Sequence, residues 1–129
     1  MKKFISTILQ IIKIKYIFKK PPIKNIAFFD GMSIDPICKK LNKRDFEIIF
    51  TRWEQINLYV LFLLLLKFKL NKKNYFIEYI RIVNPKVIIT VIDNSTFFYE
   101  LKDNFPEKKF VAIQNGYRTE NRDFFTDMK

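Results

Sequence analysis

Short apolar runs alternate with longer segments of helical character along most of the chain. Four apolar runs predict β-strands, at residues 26–29, 46–51, 87–92 and 110–113. The segments around them predict helices at about residues 33–41, 56–68, 75–83 and 95–104. Apolar strands that alternate with helices are typical of a parallel sheet covered on both faces. The sequence therefore predicts an α/β fold, a Rossmann-like parallel sheet of about four strands with crossover helices.

The first 20 residues are rich in Ile and Lys and end at Pro21 and Pro22. As a helix they place polar and apolar side chains on opposite sides: Lys2, Ser6, Gln10, Lys13 and Lys20 against Phe4, Ile5, Ile8, Ile11 and Ile12. Residues 1–20 therefore predict a basic amphipathic helix, which could lie on an anionic membrane surface or pack on protein. Residues 21–129 are expected to form the Rossmann-like domain, as the incomplete N-terminal half of a two-domain protein.

The run from Leu58 to Leu66 is the most apolar segment of the chain. It has about half the length that a helix needs to span a bilayer. We therefore expect it to be a buried crossover helix.

Composition limits the chemistry that the chain can perform. The chain has no His and one Cys, Cys38, so imidazole bases, Ser-His couples and disulfides are excluded. We predict no cofactor, no metal site and no assignable catalytic residue, and a cytoplasmic location, with peripheral attachment to the inner face of the membrane as one option. The formal charge of +11 fits a polyanionic partner, although a compositional bias towards Lys explains it equally well.

The candidate binding residues follow the predicted strands, because ligands of open parallel sheets bind at the carboxyl ends of the strands. They are Asp30, Gly31, Arg52, Glu54, Asp93, Asn94, Gln114, Asn115, Gly116 and Arg118. Both glycines of the chain are among them, which indicates either a positive φ or a close backbone approach. The alternative is that tight turns need Gly, Asp and Asn whatever the function.

Arginine and aspartate are the most informative types among these candidates. Arg52 and Arg118 could each hold a phosphate or carboxylate with two parallel hydrogen bonds, unless Glu54 pairs with Arg52. Asp30 and Asp93 could share an acid/base or magnesium site, or each could cap a helix. No G-x-G-x-x-G or Walker loop is present, and no RNA-binding signature, which disfavours nucleotides held by those loops and nucleic acid as partners.

Several segments together resemble a family. They are Pro21-Pro22, Asp30-Gly31, Thr51-Arg52-Trp53-Glu54-Gln55-Ile56-Asn57-Leu58, Asn84-Pro85-Lys86-Val87-Ile88-Ile89-Thr90, Ile92-Asp93-Asn94 and Ile113-Gln114-Asn115-Gly116-Tyr117-Arg118. This pattern is similar to the N-terminal half of bacterial surface-carbohydrate biosynthesis proteins, which are related in architecture to GT-B glycosyltransferases. Trp53 departs from it, because a glycine is expected between Arg52 and Glu54.

The resemblance implies two Rossmann-like domains that face a cleft, with the acceptor bound largely by the first. The residues that would line the acceptor side are Asp30, Arg52, Asp93, Asn115 and Arg118. The expected function is therefore the acceptor-side domain of a glycosyltransferase-like protein, inactive alone. Its expected partners are a second Rossmann-like domain or subunit and a sugar or phosphate-bearing acceptor. The alternatives are a non-enzymatic membrane-surface or interaction module and a basic nucleic-acid-binding domain.

Overall fold

The computed structural model describes residue 11, residues 13–92 and residues 95–114. The strands are β1 (Lys15–Ile17), β2 (Ile26–Phe29), β3 (Phe46–Ile49), β4 (Gln55–Asn57), β5 (Val87–Thr90) and β6 (Lys109–Ala112). The helices are α1 (Asp35–Cys38), α2 (Leu58–Leu66), α3 (Lys72–Val83) and α4 (Thr96–Lys102).

The main sheet has four parallel strands in the order β3-β2-β5-β6. Phe28 in β2 stands in register between Ile48 of β3 and Ile89 of β5. All four strands were predicted, so the α/β class with a parallel sheet is confirmed, and the arrangement is compatible with a Rossmann-like fold. The strands that begin at Phe46 and Val87 end two residues earlier than expected.

A second, two-stranded parallel sheet joins β1 to β4, with Lys15 opposite Gln55 and Ile17 opposite Asn57. The expectation that one helix extends to Lys20 is therefore wrong at residues 15–17. Residues 1–10 of that helix lie outside the described part of the chain. Pairing with β4, which is distant in sequence, determines the backbone conformation of residues 15–17. The local pattern of Ile and Lys does not indicate this pairing.

Asn57 connects this small sheet to the helices. Its side-chain amide donates to the carbonyl oxygen of Lys19 at 2.9 Å, and its Oδ1 accepts from the backbone N–H groups of Tyr59 and Val60 at the start of α2. Its own backbone N–H donates to the hydroxyl of Tyr75 at 2.9 Å. One buried residue thus holds the chain before β2, the N-terminus of α2 and the first turn of α3.

The main sheet is covered unequally on its two faces. On one face α2, α3 and α4 build the larger core, where Phe29 contacts Phe76, Phe97 and Phe98 at ring-centroid distances of 5.4–6.1 Å. On the other face the four-residue helix α1 helps to cover a smaller cluster around Phe28, whose ring meets Phe46 edge-on. A sheet with both faces packed explains the continuously apolar strands.

Helix α2 is apolar on all sides but buried on only one. Val60 and Leu64 face the core, whereas Phe62, Leu65 and Leu66 are 49%, 58% and 60% exposed. The expectation of a buried helix at residues 58–66 is therefore correct for one side and wrong for the other. Within the described ranges, no helix combines the length and apolar character needed to cross a bilayer.

Candidate anion-binding site

Asp30 ends the central strand β2 and is the buried centre of the candidate site. Its backbone N–H donates to the carbonyl of Ile49, and its φ of 82° turns the chain sharply after the strand. The residue is 4% exposed. Its Oδ1 accepts from the backbone N–H of Met32 at 3.2 Å, and its Oδ2 accepts from the hydroxyl of Thr51 at 3.0 Å and from Nε of Arg52 at 3.1 Å.

These contacts test one interpretation of Asp30, namely that it caps a helix. Helix α1 begins after Ile34 and has no side-chain cap, so Asp30 does not cap it. The helix also begins two residues later than the predicted residue 33. The carboxylate instead joins the ends of β2 and β3 through Thr51 and Arg52. Asp93, with which Asp30 was expected to share a site, lies outside the described residues.

A side chain at position 31 would crowd an aromatic ring, which explains the glycine there. A Cβ atom at this position would lie 3.0 Å from Cε1 and 3.3 Å from Cδ1 of Phe50. Of the two reasons expected for this glycine, the close approach is therefore confirmed. The left-handed backbone falls one residue earlier, on Asp30.

The Nε atom of Arg52 is bound to the protein, whereas the outer part of its guanidinium is open to solvent. Nε donates to the buried Asp30 carboxylate, while the side chain as a whole is 50% exposed. Glu54 does not pair with the guanidinium in the structure, since its Oε2 accepts from the backbone N–H of Arg52 at 3.2 Å. This arrangement orients the guanidinium while its two terminal nitrogen atoms make no hydrogen bond to the described residues.

Trp53 extends the site beyond Arg52. It adopts a left-handed backbone conformation with φ 63°, so the tight turn expected for a glycine forms here with a tryptophan in its place. The Nζ atom of Lys72, at the start of α3, lies 5.9 Å from the Trp53 ring and 5.6 Å from the ring of Phe97 in α4. A second cation and an exposed aromatic surface therefore stand beside Arg52 at the carboxyl edge of the sheet.

The described part of the chain thus brings together four of the ten candidates at the ends of β2 and β3: Asp30, Gly31, Arg52 and Glu54. Gln114 is exposed just after β6. The other five, Asp93, Asn94, Asn115, Gly116 and Arg118, lie outside the described residues. Sequence reasoning missed the roles of Lys72 and Phe97. The helix was predicted to begin at residue 75, whereas it begins at Lys72 after the cap Asn71, and this earlier start places the lysine at the edge.

A second polar cluster lies beside β3, away from this edge. The hydroxyl of Tyr79 donates to Oε1 of Glu47 at 3.1 Å, next to a cavity of about 220 Å³ that Lys19, Gln55 and Asn57 also line. Burial raises the pKa of the Glu47 carboxyl, and the hydrogen bond from Tyr79 and the charges of Lys24 and Lys19 only partly offset this increase. Burial and the nearby Glu47 also raise the pKa of Tyr79. Both groups hold their protons more firmly than in water.

Comparison of the chain with protein-family models, with curated proteins and with solved structures found no match. Within the described ranges, no group of three or more acidic or cysteine side chains could hold a metal ion.

Proposed function

We propose that the chain is the acceptor-side domain of a glycosyltransferase-like protein of surface polysaccharide biosynthesis. In this proposal the site around Arg52 binds a phosphate-bearing carbohydrate acceptor at the cytoplasmic face of the membrane. The observation that carries the proposal is the half-exposed guanidinium of Arg52, which the buried Asp30 carboxylate orients through Nε alone.

Phosphate is the group that best matches this arrangement. A guanidinium offers parallel N–H donors in a fixed fork, and hydrogen bonds between charged partners are roughly twice as strong as neutral ones. Because Asp30 already holds Arg52, less side-chain freedom is lost when an anion binds. Lys72 supplies a second positive charge near Trp53, and the exposed Trp53 ring offers apolar surface for a sugar.

Catalysis in this proposal requires a partner. The chain has no His to act as a general base, and the Asp30 carboxylate is occupied by Met32, Thr51 and Arg52. A second Rossmann-like domain or subunit would supply the activated sugar and complete the cleft. The proposal therefore assigns acceptor binding, and not the transfer step, to the described residues.

Isothermal titration calorimetry of the full chain with glucose 1-phosphate, and with glucose as the uncharged control, tests the proposal. We expect saturable binding of the phosphate ester only, weakened roughly ten- to a hundred-fold by Arg52→Gln, as charge-assisted hydrogen bonds imply. Lys72→Gln leaves the Asp30 contact intact and should weaken binding less. Arg44→Gln removes the same charge near the amino ends of the strands and is the matched control.

Two results would overturn the proposal. The first is no saturable binding of glucose 1-phosphate by a folded chain. The second is equal affinity for the Arg52→Gln and Arg44→Gln variants, which would assign any binding to overall charge instead of this site. Thermal unfolding of each variant separates loss of binding from loss of folding.

A further inference from the structure

The end of α2 and the loop after it expose five large apolar side chains within nine residues of the chain. This set, called the α2 surface below, consists of Phe62, Leu65, Leu66, Phe68 and Leu70. The first three lie on one side of the helix, because positions three and four apart are neighbours on a helix. Phe68 is 96% exposed, the highest value among the large apolar residues of the described chain. Large contiguous apolar patches on a protein surface mark interaction sites.

The backbone at Phe68 is itself unfavourable for that residue. The N–H of Lys69 donates to the carbonyl of Leu64 and the N–H of Phe68 to that of Leu65, which is the Schellman ending of a helix. Its left-handed position, with φ 52°, is occupied by Phe68, although glycine is the usual residue there. Both the backbone strain and the exposure of Phe68 oppose the stability of the isolated chain, so stability does not explain this residue.

The charge around the α2 surface has one sign. Lys67, Lys69, Lys72 and Lys73 follow the helix, and no residue from Gln55 to Ile77 is acidic. Lys67 pairs with the nearly buried Glu78 at 2.7 Å, whereas Lys69 and Lys73 are exposed. Apolar side chains surrounded by lysines are the combination that binds the interface of an anionic membrane.

We propose that the α2 surface inserts into the interface of an anionic lipid bilayer, with Phe68 and Leu65 entering the acyl boundary and Lys69 and Lys73 contacting headgroup phosphates. This site consists of residues 62–73 and does not depend on the acceptor-binding proposal. Lysine side chains can bury their methylene groups and keep the ammonium at the headgroups.

A second copy of the chain fits the α2 surface less well than a lipid surface does. In a symmetric dimer the same patch meets itself, so the lysines of one copy would face those of the other. Such like charges oppose association, and the formal charge of +11 on each copy adds to the repulsion. Anionic headgroups instead complement every lysine in the loop.

Vesicle co-sedimentation of the full chain tests the proposal. Vesicles of phosphatidylglycerol and phosphatidylcholine are expected to bind the chain, and pure phosphatidylcholine vesicles to bind it much more weakly. Phe68→Gly should weaken binding by roughly ten-fold, the scale expected from removing one large apolar side chain from the interface. The same variant should unfold at a higher temperature than the parent, because glycine suits the left-handed position. Weaker binding by a more stable chain cannot arise from misfolding.

Matched variants distinguish binding by the α2 surface from nonspecific hydrophobic binding and from binding by overall positive charge. Ile23→Ser removes another exposed apolar side chain, 74% exposed and near the amino ends of the strands, and should leave vesicle affinity unchanged. Lys69→Gln with Lys73→Gln should reduce the preference for anionic vesicles, whereas Lys39→Gln with Lys40→Gln, after α1, should not. As a direct measurement, Phe68→Trp in a Trp53→Phe background should shift its fluorescence to the blue on vesicle addition.

Three outcomes would overturn the proposal. Equal vesicle binding by Phe68→Gly and the parent would assign any binding to another segment, such as residues 1–20. An unshifted fluorescence of the Phe68→Trp variant on bound vesicles would exclude insertion. A parent that binds no vesicles but forms dimers in sedimentation velocity, with Phe68→Gly a monomer, would identify the α2 surface as an interface between copies.

Discussion

The Nε atom of Arg52 lies 3.1 Å from Oδ2 of Asp30, and this pair joins an almost fully buried carboxylate to a half-exposed guanidinium. The contact links the two segments that follow β2 and β3, because Asp30 follows the first strand and Arg52 follows the second. It also orients the exposed end of Arg52. Stability and the proposed anion binding at the carboxyl edge of the sheet therefore depend on one pair of side chains.

Replacing Asp30 should affect both properties. Asp30→Asn retains a side chain that tolerates φ 82° but removes the charge that holds Arg52. We expect a loss of about 1–2 kcal/mol in the free energy of unfolding, less than for a fully buried pair because Arg52 is half exposed to solvent. Glucose 1-phosphate affinity should fall as well. Urea unfolding measures the first effect, and Asp103→Asn, an exposed residue after α4, is the control. An unchanged unfolding free energy would contradict the structural role of the pair.

The left-handed turn at Trp53 predicts opposite effects for two substitutions. Trp53→Gly should leave stability unchanged or slightly raised, because relief at φ 63° offsets the entropy that glycine loses on folding. Trp53→Val should lower the free energy of unfolding by roughly 1–2 kcal/mol, since β-branched residues fit that region worst. Both variants remove the Lys72 contact, so their difference in urea unfolding isolates the backbone. Equal stabilities would show that the turn is not strained.

The Glu47 carboxyl predicts a pH dependence of stability. Burial raises the pKa of Glu47, so between its unfolded and folded pKa values the folded chain binds more protons than the unfolded chain. Its contribution to stability is therefore fully present below the unfolded pKa, about 4.3, and is lost as pH rises through the folded pKa. Glu47→Gln cannot ionise, and its amide oxygen can still accept from Tyr79.

The advantage of Glu47→Gln over the parent should therefore grow as pH rises from about 4 towards neutrality, starting near the unfolded pKa of the carboxyl. Thermal unfolding at a series of pH values measures it, with the exposed Glu100→Gln as the matched control. If Glu47→Gln is less stable than the parent at pH 7, the carboxylate is favourable in the fold, because the Tyr79 hydrogen bond and the charges of Lys24 and Lys19 outweigh the cost of burial.

Local pattern was sufficient to predict the main sheet and part of the site. Each of the four strands is an apolar run that ends at polar residues, and parallel strands bring such ends to one edge, so Asp30 and Arg52 were both expected there. Ser95 was expected to begin a helix, and its Oγ accepts from the N–H of Phe98. These features depend on neighbours within a few residues.

Two of the missed features depend on contacts that the local sequence does not specify. β1 pairs Lys15 with Gln55, which lies 40 positions later in the chain, and no local pattern specifies that pairing. The exposed side of α2 could not be distinguished from its buried side, because both are apolar. The position of Lys72 was missed for a local reason: the helix was predicted to begin at residue 75, whereas the side chain of Asn71 caps α3 and the helix begins at Lys72.

The hydrogen bonds of Asn57 lead us to expect that β1 detaches before the main sheet unfolds. A two-stranded sheet is marginal alone, so the attachment of β1 depends strongly on the bond from Asn57 to the Lys19 carbonyl. The amide protons of β1 should therefore exchange with solvent through a partial opening that leaves β2 and β5 closed. Asn57 also begins α2, so the same opening loosens the base of the helix while its far end stays connected to α3.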